Sequence, residues 1–379
     1  MKSKTKQTIA KVYQASCRAN YTEHLCPDLI SQIKRNNVDA KDAAMIPSRV
    51  NHYYFQALTS EVLSDIINSQ PIAFTGHAST GKTSLIEQIA AECSQPLVKV
   101  NLNGNTTVGQ FLGRRIIEDG KLKWQEGILP KAMKRGYWLI LDEMDYAESD
   151  ILCILNSVMQ KEDPTLFVAE NDDEIIKANS NFRVFVTGNT IGPEMGEYYH
   201  LYSGSKQLNH ALLDRLSIYK VDFLTPAQEG SILFDAFNGS IPEGTLGHLC
   251  SIAAQLRDAY KNQDDLNSLE NNITHRMMRQ WCEKIVFFKP RVKQIMLDQE
   301  NASGYKIAFS NQTKEDLKSG KEVAFTPKVL NAKEKDAGLT NKEGIFLIKH
   351  SSKNAIGSKL SETDKMVFDT IVDTFLGDL

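Results

Sequence analysis

An α/β fold, a parallel sheet flanked by helices with a helical domain after it, is what this sequence predicts, on three observations. Apolar runs of strand length alternate with helical stretches between residues 71 and 189. The first of those strands ends in a glycine-rich turn that opens a helix. Beyond Pro226 the strand signal stops, and apolar residues recur only at three- and four-residue spacing.

The composition admits this fold. The chain has 379 residues, 41% hydrophobic and 24% charged, which excludes collagen-like and wholly disordered classes and leaves room for a core domain with attachments. Its 44 Lys and Arg nearly balance 47 Asp and Glu, for a net charge of -3, so no global field draws it to a polyanion. No apolar run is long enough for a signal peptide or a membrane-spanning helix, and the expectation is a cytoplasmic protein without membrane contact. The six cysteines lie far apart with no C-x-x-C pair, as free thiols do, and Cys17, His24 and Cys26 lack the ligand spacing of a zinc site.

Taken in order, residues 1–46 read as a basic helical appendage. Phe55, Leu58, Val62, Leu63, Ile66 and Ile67 predict an amphipathic helix from about Tyr53, leading into the strand PIAFT at 71–75. A helix over 83–93 and the strand LVKVN at 97–101 follow, then WLILDE at 138–143, a helix through ILCILNSVMQ, and FRVFVTGN at 182–189. Strands alternating with helices call for a parallel sheet, placed here in a domain spanning 47–225. Leu246, Leu249, Ile252, Ala253, Leu256 and Tyr260, then Met278, Trp281, Ile285 and Phe288, keep helical spacing in a separate domain over 226–309. Residues 310–379 read as a Lys-rich insertion or arm, whose runs VAF and IFLI suggest a strand pair, closed by a helix with Ser361 and Asp364 in capping-box spacing.

Gly76-His77-Ala78-Ser79-Thr80-Gly81-Lys82-Thr83 fits G-x-x-x-x-G-K-[ST] between a strand and a helix, the setting a phosphate-binding loop requires. Glycines let several backbone N–H groups and a helix N-terminus converge on phosphate oxygens, Lys82 supplies a point charge and Thr83 a hydroxyl for Mg²⁺. The strand 137–141 runs into Asp142 and Glu143, the first suited to hold the same Mg²⁺ and the second to orient or deprotonate an attacking water. Asp145 reads as a surface or capping acid. Asn189, at the tip of a third strand, can hydrogen-bond a γ-phosphate or the water. Arg215, in ALLDRL, and Arg276, in THR, each carry a planar guanidinium able to clamp a phosphoryl group.

The set GHASTGKT, LILDEMD, VTGN, LLDR and THR resembles the AAA+ ATPases, specifically the MoxR-like branch with a helix-2 insert, over residues 47–290. The stretch GSKQLNHALLDRLSIYKVDFLTP is most similar to the small ATPase subunits of cobaltochelatases. The resemblance implies a P-loop core with a helical lid, ATP and Mg²⁺ as cofactors, and hydrolysis in a homo-oligomeric ring, usually a hexamer. It makes Asn189 the sensor 1 residue, Arg215 the arginine finger reaching a neighbouring subunit, and Arg276 the sensor 2 residue. Residues 106–130 then correspond to the helix-2 insert, a hairpin turning at Asp119-Gly120, and 164–178 to a second hairpin before sensor 1. Phe111, Trp124 and Phe167 are the aromatics that could grip a partner there, or simply pack the hairpins to the sheet. Ser79 stands where the family usually has glycine, so a left-handed backbone at that position would strain the loop. Residues 310–358 look inserted relative to the cobaltochelatase subunit.

Three readings compete at this level, of which an inactive nucleotide-binding scaffold is disfavoured by the presence together of Lys82, Thr83, Asp142, Glu143, Asn189, Arg215 and Arg276. Of the remaining two, one is a motor that remodels a partner protein, commonly a von Willebrand A-type protein in this branch. The other is a nucleic-acid-associated ATPase of a mobile element or phage, using the basic amino-terminal and Lys-rich late segments as phosphate contacts. DNA is the less favoured partner, because neither segment interleaves aromatics as a base-stacking platform does.

Overall fold

The computed structural model describes residues 21–33, 39–51, 53–102, 106–192, 202, 204–261, 269, 271–293, 295, 296, 298 and 341–377. Two compact units meet at the Phe223–Leu224 junction. Among the described residues no helix is long and apolar enough to cross a membrane.

The first unit is built on five parallel strands: β1 (Ile72–Thr75), β2 (Leu97–Asn101), β5 (Trp138–Asp142), β8 (Arg183–Thr187) and β9 (Ser217–Lys220), in the order β2-β5-β8-β1-β9. Side chains alternate across a strand, and the central strands use both directions. Ile72, Phe74, Trp138, Ile140 and Phe185 pack on one side with Leu63, Ile66, Leu85 and Ile89, from the helices Thr59–Ile67 and Lys82–Glu92. Ala73, Leu139, Leu141, Val184 and Val186 pack on the other with Leu129, Met133, Ile151 and Leu155, from Ile128–Arg135 and Ser149–Val158. Covering both faces is what makes these strands near-continuous apolar runs.

Two antiparallel hairpins stand apart from the sheet. Strands β3 (Gly113–Glu118) and β4 (Lys121–Glu126) turn through Asp119 and Gly120, at φ of 54° and 72°. Two successive left-handed residues form the turn whose twist suits a hairpin, as the Asp-Gly pair predicts. Strands β6 (Thr165–Val168) and β7 (Glu174–Lys177) form the second. The Arg115 guanidinium links them, donating to the Glu170 carbonyl at 3.1 Å and to Asp172 at 3.0 Å.

The second unit is helical: Pro226–Ala236, Glu243–Lys261, His275–Phe288, Asn341–Ala355 and Glu362–Gly377. Thr225 and Gln228 close a capping box ahead of the first, with Pro226 in its first turn. Asp364 N–H donates to the Ser361 hydroxyl at 3.1 Å, the cap expected for the closing helix.

Three local expectations change. The run IFLI lies inside the helix Asn341–Ala355, not in a strand, while VAF falls outside the described residues. Leu347, Ile348, Ser351, Ser352 and Ala355 are buried in that helix, and both serines bond carbonyls of their own helix, so two buried hydroxyls interrupt the apolar pattern. Trp281, fully buried, donates its indole N–H to Ser351 Oγ at 2.9 Å and so seats this helix on His275–Phe288. The helix expected from about Tyr53 begins only at Thr59, although Phe55 is buried ahead of it. Strand β9, four residues of mixed polarity, was not anticipated at all.

Candidate nucleotide site

The carboxyl ends of β1, β5 and β8 lie side by side, Phe74 opposite Thr187 and Leu141 opposite Val186. Ligands of open parallel sheets bind at this edge. Strand β9 shapes the phosphate loop directly. Val221 N–H donates to the Thr75 carbonyl at 2.8 Å, which brings the Val221 backbone so close that any Cβ at Gly76 would collide with its carbonyl. Gly76 (φ 138°) is therefore steric, whereas Gly81 (φ 100°) has open space and is glycine for its left-handed backbone. Ser79 adopts φ 65°, the left-handed conformation at which its side chain carries strain. Gly81 caps the eleven-residue helix Lys82–Glu92 without a side-chain hydrogen bond, so the positive end of the helix has no side-chain acceptor at its cap.

Lys82 is buried at 8% exposure, and its ammonium donates to the Gly76 carbonyl at 2.7 Å, the His77 carbonyl at 2.9 Å and Asn189 Oδ1 at 3.0 Å. Burial pulls its pKa down to about 8 against the opposing pull of Asp145, Asp142 and Glu143. One residue on, the Thr83 hydroxyl donates to Asp142 Oδ1 at 3.2 Å, and the Thr187 hydroxyl makes a very short bond to the same oxygen. Thr80 closes the loop with a hydroxyl bond to the His77 carbonyl at 3.0 Å. A hydroxyl beside a carboxylate is the hard oxygen set that Mg²⁺ takes, and an ammonium beside an uncapped helix N-terminus suits a polyphosphate. The residues present fit both groups.

Glu143 is exposed and holds φ 59° and ψ 43°, a left-handed backbone that breaks the strand's alternation at this acid. The loop, Asp142, Glu143 and Asn189 thus meet at one sheet edge. Arg215 lies in the same unit, but its guanidinium bonds the Ala211 carbonyl of its own turn through a very short contact. Arg276 belongs to the second unit, exposed on the first turn of His275–Phe288, which Thr274 caps through Met277 N–H at 3.2 Å.

Two residues of this region escape a reading by motif. Asp145 is neither a surface acid nor the cap of its own helix: it is 1% exposed, and Oδ2 accepts from Asn189 N–H at 2.8 Å, Thr190 N–H at 3.1 Å and Thr190 Oγ1 at 3.0 Å. Tyr202 places its hydroxyl 3.0 Å from His77 Nδ1 and accepts from Ala78 N–H at 3.3 Å, while the buried His77 ring stacks on Phe223 with centroids 5.9 Å apart. No spacing rule announces either residue, because each acts through main-chain groups far away in sequence.

The hairpin aromatics divide. Phe111 is buried in the core, and Trp124 is half-buried against it, its indole covering Gly113 so closely that a Cβ there would collide. Packing is their role. Phe167 is 56% exposed and faces Ile175, and the first hairpin shows a matching exposed pair, Ile117 opposite Leu122.

Residues 71–216 match the family model of the AAA domain, dynein-related subfamily. The chain is 27% identical over 258 residues to the aerobic cobaltochelatase subunit CobS of a Sinorhizobium species, covering 66% of this chain and 75% of that one. It is 29% identical over 240 residues to midasin of Dictyostelium discoideum, covering 62% of this chain and 4% of midasin. A third relative, the von Willebrand factor A domain-containing protein 8 of Mus musculus, is 22% identical over 209 residues, covering 52% of this chain and 10% of that protein.

Proposed function

From an AAA domain of the MoxR-like branch at residues 71–216, we propose that the chain is a Mg²⁺-dependent ATP-hydrolysing ring motor that remodels a partner protein. The observation that carries this reading is a convergence. Lys82 bonds Asn189, from 107 residues away, while its neighbour Thr83 bonds Asp142, so three separate segments meet at one helix N-terminus.

Bound Mg-ATP supplies an electrophilic phosphorus and a cation that offsets charge on the phosphate oxygens. The chain's own residues do the rest. The loop from Gly76 to Gly81 and the first turn after it hold the phosphates through backbone N–H groups. Lys82 exchanges its loop carbonyls for phosphate oxygens and keeps Asn189 beside them. Thr83 and Asp142 hold the cation. Glu143, exposed at the strand's end, orients the attacking water and takes its proton. Arg215 completes the site of a neighbouring subunit, and Arg276 is the proposed sensor 2 residue of the helical unit. A hexameric ring follows from Arg215 acting in trans together with the usual assembly of this branch.

A von Willebrand A-type protein is the proposed partner class, on two grounds: one relative's name joins such a domain to a matching segment, and the hairpins expose apolar pairs suited to protein contact. The deciding experiment measures ATP binding by calorimetry and phosphate release for the wild type, Lys82→Ala and Glu143→Gln. ATP binding that survives Lys82→Ala unchanged defeats the proposal.

A further inference from the structure

We propose that Asp145 is a positioning residue for hydrolysis, acting through Asn189; the inference rests on the ATPase reading above. The chain reaches Asp145 by an unusual route. Directly after β5, the left-handed Glu143 and the 3-10 turn Met144–Tyr146 bend the backbone, and Asp145 ends almost wholly buried while Glu143 stays in solvent. Two acids two residues apart are thereby sent to opposite environments.

The buried one meets the end of β8. Gly188 N–H still bonds β1, at the Phe74 carbonyl, but the next two amides have run off the sheet. Asp145 Oδ2 takes both, Asn189 N–H and Thr190 N–H, and the Thr190 hydroxyl as well. Left alone, amides in so buried a turn would favour another backbone path. Gly188 clears the approach, since a Cβ there would press to 3.0 Å from Asp145 Oδ1. The Asp145 carbonyl also accepts from Lys206 N–H at 2.6 Å, which ties in the segment leading to Arg215. Asn189, with its backbone fixed this way, holds Oδ1 at 3.0 Å from the Lys82 ammonium.

Among the described residues Asp145 Oδ1 has no hydrogen-bond partner. That oxygen identifies what the site needs. All three donors go to one oxygen, so an amide in place of the carboxylate keeps that acceptor, gives up the charge and sets its NH2 where Oδ1 stands. Asparagine therefore substitutes if Asp145 positions, and fails if it acts as a base.

The test compares Asp145→Asn, Asp145→Ala, Asn189→Ala and the double variant Asp145→Ala/Asn189→Ala in steady-state ATP hydrolysis, with ADP affinity and amide hydrogen exchange alongside. Expected for Asp145→Ala is a kcat lower by roughly 10- to 100-fold, the order that a misplacement of about 1 Å costs, with ADP affinity within about threefold of wild type. Asp145→Asn should stay within about threefold of wild type in kcat, and the double variant should be no slower than Asn189→Ala alone. Exchange at the Asn189 and Thr190 amides should quicken in Asp145→Ala and not in Asp145→Asn. Multiplicative losses in the double variant, or an Asp145→Asn as slow as Asp145→Ala, overturn the inference and leave the ATPase reading intact. A wild type that hydrolyses nothing overturns both.

Discussion

The Tyr202 hydroxyl sits 3.0 Å from His77 Nδ1, joining the phosphate loop to a residue 125 positions further along the chain. The same hydroxyl accepts the Ala78 amide, so one phenol holds two consecutive loop residues before any nucleotide arrives. In Tyr202→Phe the ring remains and both bonds go. One hydrogen bond contributes about 1 kcal/mol, so ADP should bind about 3- to 10-fold more weakly, because binding must now order the loop. Calorimetry reads this directly. Tighter binding would mean that the hydroxyl competes with phosphate instead.

Lys82→Ala removes the donor shared by two loop carbonyls and Asn189, and ATP binding should fall below detection. Glu143→Gln changes an exposed acid that lies outside those bonds. Binding should persist while phosphate release drops by about 100-fold or more.

Arg215 bonds the Ala211 carbonyl of its own turn, and its work on phosphate is expected across a subunit boundary, as the resemblance implies. Specific activity should then rise with protein concentration, and mixing Arg215→Ala with Glu143→Gln subunits should recover turnover that neither has alone. A monomer whose activity is independent of concentration contradicts the ring.

Glu229 sets an acid limit on the helical unit. Burial alone would raise its pKa, but hydrogen bonds from His275 at 2.8 Å and a two-pronged contact with Arg257 at 2.7 and 2.9 Å outweigh it and hold the carboxyl at about 2. The folded value lies below the unfolded one, so this stabilisation is full above about pH 4.5 and disappears as pH falls towards 2. Glu229→Gln leaves Arg257 buried without its counter-charge, at a cost of about 3–5 kcal/mol near neutrality. Denaturation of both proteins across this range should show their difference shrinking as the solution is acidified. A constant difference would be evidence against the depressed pKa.

If the chain remodels a partner as proposed, coupling is expected from the exposed aliphatics of the hairpins rather than from Trp124, which is half-buried. Trp124→Ala opens a void over Gly113 and should lower stability by about 3 kcal/mol. Leu122→Ser and Ile175→Ser alter side chains that are 61% and 66% exposed, so basal hydrolysis should hold while stimulation by the partner falls. Stimulation by DNA that weakens steeply with salt would instead favour a nucleic-acid client.

That the loop from Gly76 to Gly81, Asp142 and Asn189 come together was legible in the sequence, because each ends an apolar strand of one parallel sheet. Both hairpins were legible too, the first from its Asp-Gly turn. Asp145 and Tyr202 were not, since their partners are main-chain groups 44 and 124 residues away, and any residue carries an amide. The helix Asn341–Ala355 was hidden by two serines that satisfy their hydroxyls on its own carbonyls. Strand β9 was hidden by brevity, although it is the strand that makes Gly76 obligatory.

Arg115 is not alone in linking the two hairpins: the Lys134 ammonium stands 2.6 Å from both Glu126 of β4 and Glu174 of β7. Arg115 is 49% exposed and Asp172 90%, so water and salt screen the pair, and such a contact contributes at most about 1 kcal/mol. Raising the salt concentration should therefore loosen the hairpins from each other before it disturbs the strand pairing within either, which rests on backbone hydrogen bonds.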